Sequence, residues 1–221
     1  MNVFAPDTFF DLSKTIAADL FDGVSNVWEV LPRLGEYIRA LGDTLPADEY
    51  ERRGELVWIA RDAVVFDSAC IAGPCIIDHE AQVRHCAFIR GNALIGKGSV
   101  VGNSTELKNA LLFDCVQAPH YNYVGDSILG YRSHMGAGSI TSNVKSDKTP
   151  VTVFCRGERI ETGLKKMGAV LGDFVEVGCG SVLNPGTLVG RDSNIYPLSS
   201  VRGVVEAGCI YKSRSEIVEK R

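Results

Sequence analysis

Residues 59–107 read IARDAV VFDSAC IAGPCI IDHEAQ VRHCAF IRGNAL IGKGSV VGNSTE L when the chain is broken every six residues. Ile59, Val65, Ile71, Ile77, Val83, Ile89, Ile95, Val101 and Leu107 fill nine aliphatic positions in unbroken steps of six. Four residues after each of the first eight stands a small side chain: Ala63, Ala69, Cys75, Ala81, Ala87, Ala93, Ser99 and Thr105. An α-helix would return apolar residues at three and four, and an amphipathic strand at two, so a strict six fits neither. It fits one flat side of a triangular prism. Each hexapeptide supplies a short strand and a corner, with the aliphatic residue inward and the small residue where the corner is tight. Three hexapeptides close a coil, and coils stack at the inter-strand spacing of ~4.7–4.9 Å, each held by its neighbours as in any solenoid.

The pattern resumes at Leu171, Val177, Leu183, Val189, Ile195 and Val201, with Val175, Ser181, Thr187, Ser193 and Ser199 at the small position. Between the two runs the period slips twice, from Leu107 to Leu112 and from Val124 to Leu129, and then runs through Met135 to Thr141. It vanishes over 142–168, SNVKSDKTPVTVFCRGERIETGLKKMG, which carries Lys145, Lys148, Arg156, Arg159, Lys165 and Lys166. Two readings of this excursion stand: a solvated loop, or a basic flap over an anionic cofactor. The fold class predicted is all-β, a parallel β-helix.

Ahead of the coils, residues 8–42 read as two helices. Leu12, Ile16, Leu20 and Phe21 line one apolar face, and Val27, Trp28, Leu31, Leu34, Ile38 and Leu41 the other. They are expected to cap the open end of the solenoid, where unpaired strand edges invite aggregation. The organisation expected is a helical cap and linker over 1–50, coils over 51–210 and a charged, frayed tail over 211–221.

With 221 residues, 45% hydrophobic and 23% charged, and a net charge of −4, the chain has no global basicity of the kind nucleic-acid binding favours. No apolar run reaches the ~20 residues of a membrane span, and MNVFAPDTFFDLSK lacks both a basic start and an apolar signal core, so a cytoplasmic protein is expected. Seven cysteines, an odd number with no C-x-x-C pair, argue against a disulfide framework or a zinc ribbon. Most are expected to be small buried apolar residues. His79 and His85 occupy the same place in successive hexapeptides and so lie on different faces, and no metal is predicted.

Arg90 and Lys108 are eighteen residues apart with no slip between them, each directly after an inward residue. They should stack on adjacent coils. Two such cations repel unless an anion neutralises them or water screens them; a phosphate suits both, and Glu106 can neutralise part of the pair. His120, in APHYNYVGD beside Tyr121 and Tyr123, is the histidine suited by residue type to take a proton near neutrality.

Arg90, VGNSTELKNA (101–110), APHYNYVGDSILG (118–130) and MGAGSITSN (135–143) align without a gap and together resemble the acetyltransferase domain of the bifunctional N-acetylglucosamine-1-phosphate uridyltransferase/glucosamine-1-phosphate acetyltransferase family. Residues 160–190, IETGLKKMGAVLGDFVEVGCGSVLNPGTLVG, look like the β-helical tails of archaeal sugar-phosphate nucleotidyltransferases. The resemblance implies a left-handed coil, a homotrimer with sites between subunits, and acetyl-CoA as co-substrate. By position it implies that Arg90 and Lys108 hold a sugar phosphate, that Tyr123 helps orient the amino sugar, that Asn143 lines the acceptor and thioester region, and that His120 is the general base; Glu106, beside Arg90, is counted with the substrate-binding residues. It places His134, Lys148 and Cys179 toward the coenzyme. The chain departs from the family at His134, where asparagine is usual, and at Val144, where the family has tyrosine after asparagine. A lysine expected a few residues later has only Lys145 and Lys148 nearby. There is no Gly-rich loop for a uridyltransferase half. Two functions are therefore weighed: N-acetylation of an amino-sugar phosphate, and a trimeric protein that binds sugar phosphate or coenzyme A without turnover.

Overall fold

The computed structural model describes residues 2–220, so Met1 of the expected cap and Arg221 of the expected tail lie outside it. Its coils form the parallel β-helix that the period of six predicts. Val57–Ala60 opens the first face, Val64–Val65 the second and Cys70–Ile71 the third. Each then pairs in parallel with the strand one coil on: Val57 with Cys75, Val64 with Gln82, Cys70 with Phe88. The inward positions stack in register, Ile59 on Ile77 on Ile95 and Val65 on Val83 on Val101. Ile77, Ile89, Ile95 and Leu107 are fully buried.

The two slips have a local cause. Arg90, Gly91 and Asn92 turn the corner from the third face to the first between Ile89 and Ala93, whereas one coil later Lys108 and Asn109 do so alone. Strands Glu106–Leu112 and Tyr123–Leu129 therefore run across that corner without a break, pairing Lys108 with Gly125 and Ala110 with Ser127. Asn109 and Asp126 take the strain, with φ of 50° and 47°. Asparagine and aspartate tolerate this left-handed conformation better than other side chains.

The amino-terminal segment does not cap the end of the prism. It forms helical turns at Pro6–Phe9, Leu12–Lys14, Ala18–Phe21 and Val27–Val30 and one longer helix, Leu34–Gly42, in place of two long helices. The first expected helix is broken at Thr15, whose backbone is extended. These turns lie along the first face. The helix 34–42 packs against the strands at 75–77, 93–95 and 106–112, and Phe10 stacks on Phe113 with ring centroids 4.6 Å apart. Polar ties fix the belt: Asn109 Nδ2 donates to Leu31 O (3.3 Å), Asp114 N to Lys14 O (3.0 Å), and Asp11 N to Asp173 Oδ2 (2.7 Å). A Cβ at Gly42 would stand 2.5 Å from the Trp58 ring, so the close approach of helix to coil needs glycine there.

The physical reason for a belt lies in the outward side chains of this face. Trp58, Ile76, Leu94, Leu111, Ile128, Val170 and Leu188 are all apolar and buried. Leaving one such leucine, isoleucine or valine in water instead would forgo about 1.5–3 kcal/mol. The excursion at 142–168 completes the cover: Thr152–Cys155 and Glu158–Glu161 form an antiparallel hairpin, and Val151, Val153 and Met167 are fully buried. The hairpin packs on the strands at 187–189 and 204–205. It is neither a solvated loop nor a free flap. Arg156 is paired with Glu206, and Arg159 lies over the Phe154 ring.

Both ends of the coil stack carry an antiparallel strand that shields an edge, Tyr50–Arg52 on Val57–Ala60 and Glu216–Glu219 on Cys209–Ser213. The tail expected to fray is thus paired through Glu219. Along the corner from the first face to the second, burial pushes the Asp114 carboxyl up to about 6, aided by the Asp78 charge and opposed by the Lys97 N–H and the Lys97 and Lys14 charges. A carboxyl whose folded pKa exceeds its unfolded value favours folding fully only below the unfolded value. That contribution is lost as pH rises through the folded pKa. Asp114→Asn keeps the acceptor for Lys97 N, 3.1 Å away. It is expected to stabilise the fold at pH 7.5 by about 1 kcal/mol, the full shift at ~1.4 kcal/mol per pKa unit being reduced by solvent screening of a half-exposed group, and to change little at pH 4. Thermal melts at the two pH values check this; equal gains at both would rule out the buried charge as the cause.

Candidate functional site

The site grows from the tight corner between the third and first faces. Ile89 pairs with Leu107, so Arg90 and Lys108 stand on adjacent coils as their spacing predicts. Each cation already has a carboxylate. Arg90 Nη1 donates to Glu106 Oε1 at 2.8 Å, and Lys108 Nζ to Asp126 Oδ2 and Oδ1 at 3.0 and 3.2 Å. The corner is dipolar, two cations against two carboxylates: Glu106 neutralises part of the pair, as expected, and Asp126 adds a second carboxylate. Asp126 was missed by the sequence reading. Its signal was its stacking on Asn109 across the first slip, seventeen residues on instead of eighteen.

Tyr123 projects from the third face in register with Glu106. Its hydroxyl accepts from Asn143 Nδ2 at 3.2 Å, and the same nitrogen donates to Asp126 Oδ2. Burial first, then the Asp126 charge, raises the Tyr123 pKa, with the Asn143 hydrogen bond acting the other way, so the phenol stays neutral and can donate or accept. Asn143 stands near the start of the excursion and Gly168 at its end. Met167 N donates to Asn143 O (3.0 Å) and Gly168 N to Asp126 O (2.8 Å), which returns the chain to the corner it left. Lys108, Asn109, Tyr123, Asp126 and Asn143 thus form one hydrogen-bonded network, beside the Arg90–Glu106 pair.

His120 stands at the other edge of the same face. It belongs to a column of corner residues, His85, Asn103, His120, Ala137 and Cys179, each accepting through its carbonyl from the next coil. Gly138 N, for example, donates to His120 O (3.1 Å), Gly180 N to Ala137 O (2.8 Å) and Leu198 N to Cys179 O (2.9 Å). The corner is rigid: His120 N donates to Asn122 Oδ1 (3.1 Å), and buried Asn122 donates to Gly136 O (2.9 Å) and Ser139 O (3.1 Å). Just before it, a Cβ on Gly102 would fall 1.7 Å from Pro119 O, so only glycine lets the two coils meet there. The imidazole itself is exposed. His120 lies five residues before Gly125, the register partner of Lys108, so the width of the third face separates it from the Lys108 corner. A ligand that meets both must lie across the third face.

Of the three residues placed toward a coenzyme, two come together. His134 projects from the second face with its Nδ1 2.8 Å from Glu176 Oε2. It lines an open groove of about 500 Å³ with Glu176, Cys179, Tyr196 and Ile210. Cys179 is exposed, contrary to the buried apolar role expected of it, as are Cys70 and Cys86; only Cys75, Cys155 and Cys209 are buried. Lys148 lies apart, in an exposed turn whose N–H donates to Lys145 O at 3.1 Å.

Hexapeptide coils wrapped on one face, with a charged corner and an exposed histidine at the two edges of another, define a β-helix protein that carries its candidate site on the coil wall. Within that class the chain belongs to the GMPPB C-terminal domain family, whose model matches residues 71–205. It is 35% identical over 142 residues to the bifunctional protein GlmU of Methanococcus vannielii, covering 64% of this chain and 34% of that protein. It is 31% identical over 166 residues to the bifunctional sugar-1-phosphate nucleotidylyltransferase/acetyltransferase of Sulfurisphaera tokodaii, covering 67% of this chain and 41% of that one. The chain therefore spans well under half the length of either relative. Among solved structures, WeeI from Acinetobacter baumannii AYE shares 15% identity at a TM-score of 0.41, over 73% of this chain and 57% of its own. The resemblance read from residues 90–143 is borne out by these relatives.

Proposed function

We propose that this protein is an acetyl-CoA-dependent N-acetyltransferase of an amino-sugar phosphate, with glucosamine-1-phosphate the leading acceptor. The observation that carries the proposal is the third face itself, with Arg90 and Lys108 at one edge and exposed His120 at the other. The phosphate would meet the two cations. Glu106, released as Arg90 turns to the phosphate, would receive the ammonium, and Tyr123 and Asn143 would orient the ring. A zwitterion with one phosphate and one ammonium matches both signs of the corner, which a simple anion does not.

The ammonium gives one proton to solvent as it leaves Glu106; the free amine then bonds to the thioester carbonyl carbon as His120 takes its second proton, the carbon–sulfur bond breaks, and His120 passes that proton to the departing sulfur. Positioning supplies much of the rate. The groove at His134, Glu176 and Cys179 suits the co-substrate's extended arm, because Cys179 stands in the His120 corner column two coils away, ~10 Å at the inter-strand spacing. Sites shared between subunits of a homotrimer belong to this proposal.

The test is thiol release from acetyl-CoA by the purified protein, expected only when glucosamine-1-phosphate or another amino-sugar phosphate is present. A second reading, a trimeric binding protein without turnover, is favoured by Val144 and by the His134–Glu176 pair, which occupies an imidazole nitrogen. Binding of sugar phosphate with no thiol released across an amino-sugar panel would replace the first reading with the second.

A further inference from the structure

Asp126 is the most heavily used carboxylate at the corner. Its side chain is nearly buried and accepts four hydrogen bonds from three residues: two from Lys108 Nζ, one from Asn109 Nδ2 at 3.1 Å and one from Asn143 Nδ2. An ionised carboxylate offers about four lone-pair sites. All four are taken, so Asp126 cannot accept from a ligand without giving up a bond it already makes. Whatever it contributes to the site passes through its neighbours.

Two consequences follow for those neighbours. Lys108 is held as a cation against an opposite charge from which water is largely excluded, so part of its attraction for any incoming anion is already spent. Asn143 has both amide hydrogens committed, one to Asp126 and one to the Tyr123 hydroxyl. The atom it can still offer is its carbonyl Oδ1, an acceptor, which meets a ligand N–H or O–H and rejects a second acceptor. With an amide at 126 this selection would lapse, because Asn143 could turn over and accept from the new NH₂. The backbone supports the same assignment. Gly168 N donates to Asp126 O, and Asn109 reaches Leu31 O, so the excursion and the belt both anchor at this one corner.

We infer that Asp126 is the positioning residue of the site: it restrains the Lys108 charge and fixes the Asn143 amide so that its oxygen faces the acceptor. The inference rests on the proposed reading of Lys108 as an anion-binding group, and does not depend on acetyl transfer.

The test uses inorganic phosphate as its probe and Asp126→Asn as its variant; asparagine accepts the left-handed backbone at this position. Removing the opposing charge is expected to tighten phosphate binding about fivefold by calorimetry at low salt, whereas a merely structural loss would weaken it. In a Lys108→Met background the same change is expected to have no effect on phosphate affinity, since the coupling runs through that lysine. If the protein proves to be a transferase, Asp126→Asn should lower kcat about tenfold or more without raising the acceptor KM. Phosphate affinity in Asp126→Asn equal to or weaker than the parent's, no binding by either, or a gain that persists without Lys108 would each overturn the inference. Absence of thiol release in the parent would sink the transferase reading and leave the phosphate result to decide this one.

Discussion

His120→Ala is expected to lower kcat for acceptor-dependent thiol release by about 10²–10⁴-fold, the usual worth of a positioned general base, and to leave the melting temperature almost unchanged. The second half of that expectation makes the first informative. The imidazole is exposed, and the corner is held by backbone bonds and by Asn122, which alanine at 120 leaves intact. The loss would therefore report chemistry and not a collapsed coil. His85 provides the matched control, because it sits in the same corner column and its ring packs at a tilt against Phe66 with centroids 4.2 Å apart. His85→Ala is expected to retain the parent's kcat. If His120→Ala keeps more than about a tenth of parental activity, positioning alone accounts for the rate and the base lies elsewhere.

What the sequence disclosed, it disclosed through spacing. A period of six gave the prism, and the eighteen residues from Arg90 to Lys108 gave the stacked cations, because register carries directly from spacing when no corner changes length. The slips at 107–112 and 124–129 were visible as irregularities. Their meaning was not, because it depends on a shortened corner that moves Asp126 under Asn109. The belt was legible in principle. Trp58, Ile76 and Leu94 recur every eighteen residues in the outward position, and Leu111 and Ile128 follow at seventeen, a period of one coil and not of one hexapeptide. Read hexapeptide by hexapeptide, that series is diluted by Gln82, Glu106 and Gln117 on the other faces. The excursion carried its own sign in TVFCRGERIE, two alternating runs around Arg156 and Gly157, which turn with φ of 50° and 86°. Its basic residues leave a solvated loop and a basic flap equally open, while Val151 and Val153, both fully buried, decide where it packs.

The distinction between a belt and an end cap has a direct energetic consequence, which Leu94 and Phe88 separate. Both stand immediately before an inward isoleucine, Ile95 and Ile89, and so occupy the same outward position of their hexapeptides. Leu94 on the first face is fully buried beneath the helix at 34–42, whereas Phe88 on the third face is 41% exposed. Leu94→Ala is therefore expected to cost about 2–5 kcal/mol, the transfer of the lost methylenes plus the cavity they leave, since belt and coil are each too constrained to close it. Phe88→Ala, larger in volume removed, is expected to cost less than about 1 kcal/mol, because a half-exposed ring forfeits little packing when truncated. Urea unfolding measures both, through a fall in midpoint at unchanged slope for Leu94→Ala. Were the amino-terminal segment a cap over the end of the prism, Leu94 would face water and the two losses would be alike and small. A large loss at Phe88 instead would mean that the third face is covered in solution, and the acceptor would then have to enter between whatever covers it and the corner at Lys108.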